Sequence, residues 1–520
     1  MQLTWVSLLP PLIVIGAVCV THQLNISLAM GIFCAALIVT QGQLLPALMM
    51  CGQKFVSHVS DIDNIYLYLL LITISSLITL LTVTGSAAGC AHIIGKRMRT
   101  KRSVETSTIM LSFLLSIDDY LSILTVGFVM RPIADRLAVA RTKLAYIVRA
   151  LAGPLVIIMP ISTWAAAVLA QLDNAGIHLN APNKIVADPF YVYLKTIPFT
   201  FYSLLVVFSV WFVVITRIGY GLIGRDERKA VLVDDASQGE LISDDKNHSL
   251  IELLMPIVIL IGGVFVGILY AGKYHLFGGN NSFFEAFREN DKTFLILLLS
   301  GLTAFGASLL LSLYKKMVSV TQLPAIVWAG ACLMQSSIIM VMCASVLGSF
   351  LRLNLHTGDY VAYLLFGTAP LALIPVMLFV VSLAITLTTG SAWGTFSILI
   401  PITTQMLISF LQLKTPVMLD QMPILFPALG AVLSGAVCGN HISPFAETTV
   451  MTATSTGIAP LDHARTQFGY AVPVIIGAFV AFIVAGVMSG CGLWNSFFAS
   501  ISAGIGVNMV LLYVGNRFFK

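Results

Sequence analysis

Charge is scarce in this chain. Its 520 residues include 28 Lys or Arg and 23 Asp or Glu, 10% in all, where a soluble protein carries about 25%. With 58% hydrophobic residues and a mean hydropathy of +0.95, that scarcity excludes a soluble domain and implies an all-α polytopic membrane protein. The short alternating stretches of an outer-membrane barrel are missing too. The eight cysteines include no C-x-x-C pair, so neither a disulfide framework nor a zinc or haem site is expected. No G-x-x-x-x-G-K-[ST] loop is present, which argues against a nucleotide-driven pump. The net charge of +5 calls for no nucleic acid, since cationic loops facing an anionic leaflet account for it.

What is present is a series of apolar stretches of spanning or near-spanning length. They lie near 4–21, 26–42, 64–84, 144–170, 196–216, 250–271, 293–314, 321–349, 359–389, 391–411, 467–490 and 493–515. Two more, around 104–130 and 422–452, are interrupted by polar clusters, and eleven to fourteen crossings are expected. The first stretch lacks the basic region of a cleaved signal and reads as an uncleaved helix. Gly and Pro fall mid-segment at Gly153-Pro154, Pro160, Pro370, Pro375 and Gly390. Several helices should therefore be broken, which is tolerated at membrane depth only where the freed backbone faces protein or water. Residues 223–249 carry mixed charge and read as a solvated linker between two membrane halves, 1–222 and 250–520. The basic residues Arg217, Arg225, Arg228 and Lys229 place it in the cytoplasm.

Against this background two adjacent acids stand out. Asp118 and Asp119 sit in STIMLSFLLSIDDYLSILTVGFVM. One Asp at the centre of a spanning helix costs about 2.5–3.5 kcal/mol, and two repel each other when both are ionised. Such a pair needs a cation, a proton or a wet cavity. Ser122 one turn on adds a hydroxyl, and hard oxygens suit small cations. A coupled pair can also hold one proton near neutral pH, so Na⁺ and H⁺ can compete for the same oxygens. The second polar cluster, GNHISPFAETT, brings Asn440, His441, Ser443, Glu447 and Thr448 beside a Pro444 break. Na⁺ ligands are sought among Asp118, Asp119, Asn440 and Glu447. His441 is either a proton relay or a satisfied structural histidine. Ser162, Thr163 and Ser391, at helix breaks, serve ligation or plain helix packing. Arg149 can pair with the acids, bind an anionic substrate or snorkel to the interface.

The halves also echo each other. TGSAAG at 84–89 matches TGSAWG at 389–394, and ARTKLAY at 140–146 matches ARTQFGY at 464–470. Basic residues flank 104–130 on both sides: Lys96, Arg97, Arg99, Lys101 and Arg102 before, Arg131, Arg136, Arg141 and Lys143 after. This suits a hairpin that enters and returns. The sparser Lys414 and Arg465 around 422–452 suit a second hairpin from the opposite face. The fold expected is an inverted repeat with two re-entrant hairpins and broken transmembrane helices.

Four ordered segments resemble the NhaC-type Na⁺/H⁺ antiporter family: DDYLSILTVGFVMRPIADRLAVARTKLAYIV, PLVIIMPISTWAAAV, TGSAWGTFSILIPI and GNHISPFAETTVMTATSTG. The resemblance spans roughly 80–175 and 385–475. It implies an inverted-repeat fold, a homodimer with scaffold and transport domains, and a bacterial inner membrane. It also implies Na⁺/H⁺ exchange or exchange of organic acids such as malate and lactate. Asp118 and Asp119 match the family's paired acids, Ser162 the Ser of P-I-S-[ST]-W, and Ser391 the hydroxyl of T-G-x-x-W-G-T. His441, Ser443, Pro444, Thr448 and Thr449 match the second motif, G-D-H-C-S-P-I-S-D-T-T. Asn440 departs from it where Asp is usual, and Glu447 stands where the second Asp is usual. The expectation is an antiporter using Na⁺ and H⁺ as coupling ions, with no cofactor and no enzymatic activity. The alternative is a Na⁺- or H⁺-coupled carrier of a small carboxylate or amino acid. An intramembrane aspartyl protease is disfavoured, because adjacent acids cannot clamp a peptide carbonyl from both sides.

Overall fold

A computed structural model describes residues 5–21, 23–86, 98–179, 185–230, 250–288, 290–365 and 368–518. The end of the TGSAAG repeat, Lys96, Arg97 and most of the charged linker lie outside the described residues. In chain order the helices are α1 (Leu9–Thr21), α2 (Leu24–Val39), α3 (Leu44–Val59), α4 (Ile62–Val83), α5 (Lys101–Leu114), α6 (Asp119–Arg136), α7 (Arg141–Ile158) and α8 (Thr163–Asn174). Then come α9 (Pro189–Thr196), α10 (Phe201–Thr216), α11 (Gly221–Lys229), α12 (Leu250–Ala271), α13 (Phe283–Arg288), α14 (Thr293–Tyr314) and α15 (Leu323–Leu353). The chain closes with α16 (Thr357–Leu365), α17 (Ile374–Thr389), α18 (Ala392–Phe410), α19 (Leu425–Ile442), α20 (Glu447–Thr456), α21 (Pro460–Val487) and α22 (Leu493–Phe518). Among the described residues the only sheet is a parallel pair, β1 (Ile185–Val186) with β2 (Val417–Met418).

Helices dominate because a lipid-exposed backbone must satisfy its own hydrogen bonds. Ten helices among the described residues are long and apolar enough to cross a membrane, or eleven if α7 and α8, bent by 44°, count as one broken span. Helices α1 to α3 pack with α15 around an apolar cluster of their own. The larger core surrounds α7 and α19, and α19 is buried along its whole length. Its glycines let neighbouring backbones in: a Cβ on Gly435 would stand 2.5 Å from the Phe379 carbonyl oxygen, and one on Gly439 would stand 2.8 Å from that of Leu383.

The breaks fall close to where Gly and Pro suggest, with one shift. Pro154 lies inside α7, and the interruption comes at 159–162, around Pro160. Gly390 takes a left-handed conformation between α17 and α18. The first residues of the charged segment lie in helix α11, where Glu227 pairs with the buried Lys143 on α7 at 2.6 Å.

The pairing of helices around the breaks corrects the second hairpin. Glu105 on α5 contacts Lys143 near the start of α7, so α5 and α6 fold back on each other across 115–118. The region 422–452 does not do this. α19 lies along α17, whereas α20 leaves it and packs on α6, α7 and α21. The second fold-back lies upstream, at Gly390. Ala372, just before α17, meets Gly486, while Leu419, just after β2, lines one cavity with Ser489 and Leu493. Both ends of the α17–α18 pair therefore lie at the same end of the molecule. α18 has 19 residues, about 28 Å of helix. The few residues from Leu411 to β2 cannot recover that rise unless α18 turns back along α17. The two fold-back pairs open at opposite ends. Tyr220, beyond α10 at the Lys143 end, stacks on Tyr470 in the first half of α21, and Gly486 lies at the far end of that helix.

Candidate functional site

The acids sit where the first fold-back pair meets the α7–α8 break. Asp118 caps α6, one carboxylate oxygen accepting from the Leu121 amide at 3.0 Å. Its other oxygen accepts from the Thr163 hydroxyl at 2.9 Å. Asp119 accepts from the Trp164 indole N–H at 3.1 Å. The Thr163 amide donates to the Ile117 carbonyl at 3.1 Å, which closes the tip onto the break. Ser162 caps α8, accepting from the Ala165 amide at 3.0 Å and donating to the Val156 carbonyl at 2.8 Å. Two helix N-termini thus point their positive ends at two buried carboxylates. Neither acid has an ion-pair partner among the described residues. The Ser122 hydroxyl beside them is buried and unpartnered.

A second polar group gathers at the α19–α20 break. Asn440 donates to the Gly390 carbonyl at 2.8 Å, so the tip of the second fold-back pair is held there. Its side-chain oxygen accepts from Arg149 at 2.9 Å and from Thr448 at 3.2 Å. Arg149 also donates to the Asn440 backbone carbonyl. The guanidinium is 1% exposed and within electrostatic reach of Asp119. Ser391 caps α18, accepting from the Gly394 amide at 3.2 Å. Ser443 donates to the Leu387 carbonyl at 3.0 Å. Glu447 opens α20 at the surface and accepts from Tyr120 at 3.1 Å.

The structure therefore brings Asp118, Asp119, Ser162 and Thr163 together, and separately Arg149, Asn440 and Thr448. It does not converge the four sought Na⁺ ligands. Asp118, Asp119 and Glu447 form no three-carboxylate cluster among the described residues. Both lone pairs of the Asn440 oxygen are spent on Arg149 and Thr448, and a guanidinium on that oxygen repels a metal cation. His441 bonds Tyr202 at 2.6 Å and also contacts the Gln467 amide. The partners that the sequence reading missed are Tyr120, Trp164, Tyr202 and Gln467. His463 is buried with both ring nitrogens unpartnered. His463, Gln467 and Tyr470 recur at i, i+4 and i+7 on α21, a stripe that was readable at helical spacing.

A multi-pass helical bundle whose breaks meet at buried charges is the architecture of a membrane transporter. The chain belongs to the Na⁺/H⁺ antiporter family, whose family model matches residues 175–487. An uncharacterized protein of Haemophilus influenzae is 30% identical over 489 residues, 92% of this chain and 90% of that protein. The crystal structure of the Alcanivorax borkumensis YdaH transporter shares the fold at a TM-score of 0.54 and 14% identity, covering 86% of this chain and 89% of that one. Neisseria gonorrhoeae MtrF, described within a class of antimetabolite efflux pumps, aligns at a TM-score of 0.43 and 13% identity, over 86% and 85%.

Proposed function

We propose that this transporter exchanges Na⁺ for protons, with the Asp118–Asp119 pair as the site for which the two compete. The observation that carries this is a buried carboxylate pair with no cationic partner in contact among the described residues, held by a hydroxyl, an indole N–H and two helix N-termini. Such a pair is short of positive charge, and either a small cation or a proton supplies it. Asn440 and Glu447 drop out as direct ligands in this conformation. Asn440 instead anchors Arg149, and Glu447 accepts from Tyr120 at the surface.

The arrangement of breaks supports an inverted repeat of α5–α8 with α17–α20. In it α5–α6 and α17–α18 are the re-entrant hairpins, and α7–α8 and α19–α20 are the broken spans. The halves, joined through 223–249, alternate access around the acids. A homodimer in a bacterial inner membrane is the setting that the family resemblance supports.

One observation favours a second reading, a cation-coupled carrier of a small carboxylate. Arg149 is buried with its Nε unpartnered and no carboxylate in contact among the described residues, as a substrate-binding guanidinium would be. Luminal pH in proteoliposomes separates the two. A pH change evoked by Na⁺ or Li⁺ alone, lost in Asp119→Asn, supports exchange. Silence with cations alone, and flux only when a carboxylate is added and only with Arg149 intact, replaces it with the carrier.

A further inference from the structure

We propose that the seam between α12 and the α9–α22 side holds an anionic glycerophospholipid. Its phosphate lies at Lys195 and Arg288, and one acyl chain lies in the apolar cavity that reaches Pro160. That cavity measures about 600 Å³, its walls including Pro160, Leu194, Val264, Phe287 and Trp494. It lies within the range of about 300–1,000 Å³ typical of ligand sites. A smaller cavity of about 230 Å³ adjoins it through Tyr191, Lys195 and Leu493, and Arg288, Asp420 and Ser489 help to line it. The combined space is amphipathic: a long apolar chamber beneath a small polar mouth.

The mouth is cationic. The Lys195 ammonium lies over the Tyr191 ring, 5.4 Å from its centroid. Neither Lys195 nor Arg288 has an ion-pair partner among the described residues. Among the described residues that line the mouth Asp420 is the one acid, against two cations; Glu285, within electrostatic reach of Arg288, lies outside that lining. A soluble organic anion could satisfy the polar mouth but would leave the apolar chamber unfilled. A phospholipid fills both.

The position fits as well. α12 ends at Ala271 and α22 begins at Leu493, so the mouth lies at helix ends, with Trp494 beside it as interfacial tryptophans stand. α12 packs mainly on α13 and α14, and its outer residues Val258 and Phe265 are exposed, so acyl chains reach the seam from the side. Pro160 is the inner wall, and it belongs to the break that carries Ser162 and Thr163. The bound chain therefore wedges against the segment that orients Asp118.

The test uses the full-length protein in bilayers containing acyl-brominated phosphatidylglycerol or acyl-brominated phosphatidylcholine, with tryptophan quenching as readout. Stronger quenching by the brominated phosphatidylglycerol is expected. The excess should be lost in W494F and in K195Q/R288Q, and should survive in K195R/R288K, which keeps the charges. Equal quenching by the two lipids, or an excess that persists in K195Q/R288Q, overturns the assignment. So does an excess removed by inorganic phosphate or octanoate, which would give the mouth to a free anion. The readout is independent of ion transport, so it stands or falls apart from the exchange reading.

Discussion

Among the places where this molecule buries carboxylates, two solve the problem in opposite ways. At the Lys143 end, Glu105 and Lys143 are each 1% exposed and 3.0 Å apart. Glu227 lies 2.6 Å from the same ammonium, and Arg217 reaches Glu105 at 3.0 Å. Two acids face two bases, and the cluster ties α5, α7, α11 and the end of α10 together. At the other place, Asp118 and Asp119 are just as buried, but their partners are a hydroxyl, an indole and backbone amides. Arg149, the cation within electrostatic reach of Asp119 among the described residues, is engaged with Asn440. A buried charge that is paired holds the fold in register, and removing one partner is costly. A buried charge left without a counter-ion is a place where a mobile cation can bind and leave.

The largest effect that can break this comparison is Asp119→Asn. Cation-evoked luminal pH change should vanish, while melting temperature in detergent stays level or rises, because a desolvated like-charge pair has been relieved. A collapse in folded yield would make the pair structural and erase the contrast. Lys143→Met comes next and should do the reverse. Glu105 would keep only the half-exposed Arg217, so the loss should approach that of a broken buried pair, about 3–5 kcal/mol, seen as a marked drop in melting temperature, with transport per folded molecule retained.

Smaller changes sharpen the difference. Asn440→Asp would put a carboxylate against Arg149 and make the second site resemble the paired cluster. The ion pair gained is offset by the lost Asn440 donation to the Gly390 carbonyl, so stability should change by less than about 1 kcal/mol, and exchange should slow because the guanidinium is more tightly held. Ser162→Ala removes a helix cap worth about 1 kcal/mol. It should also weaken apparent cation affinity, since Thr163 on the same break then positions Asp118 less firmly. Arg217→Gln is the smallest. Its side chain is 45% exposed, so thermal stability should fall by less than about 1 kcal/mol, with no change in transport.

Much of this is legible in the sequence alone. The near absence of charge and the length of the apolar runs determined a helical membrane protein, and nearly every run became a helix close to its expected bounds. Asp118 and Asp119 were visible because insertion energetics make an acid in an apolar run an anomaly whatever it touches. Ser162, Thr163 and Asn440 were visible as polar groups beside breaks. These are local properties, set by composition and spacing along one segment.

Pairing across segments was decided only by the tertiary structure. The polar interruption at 439–449 looked like a hairpin tip, as 116–122 did, because both interrupt an apolar run. Whether a chain turns back or continues through such a break depends on what its two arms can pack against. Close approach of α19 to α17 at Gly435 and Gly439, and of α20 to α6, where Ser455 meets Gly127, carries the chain onward there, and the fold-back occurs at Gly390 instead. The same holds for Asn440, which composition offers as a cation ligand until Arg149, 291 residues away in sequence, takes its oxygen. Burial energy is readable one segment at a time, but complementarity between distant surfaces is a property of pairs, and it exists only once the chain has folded.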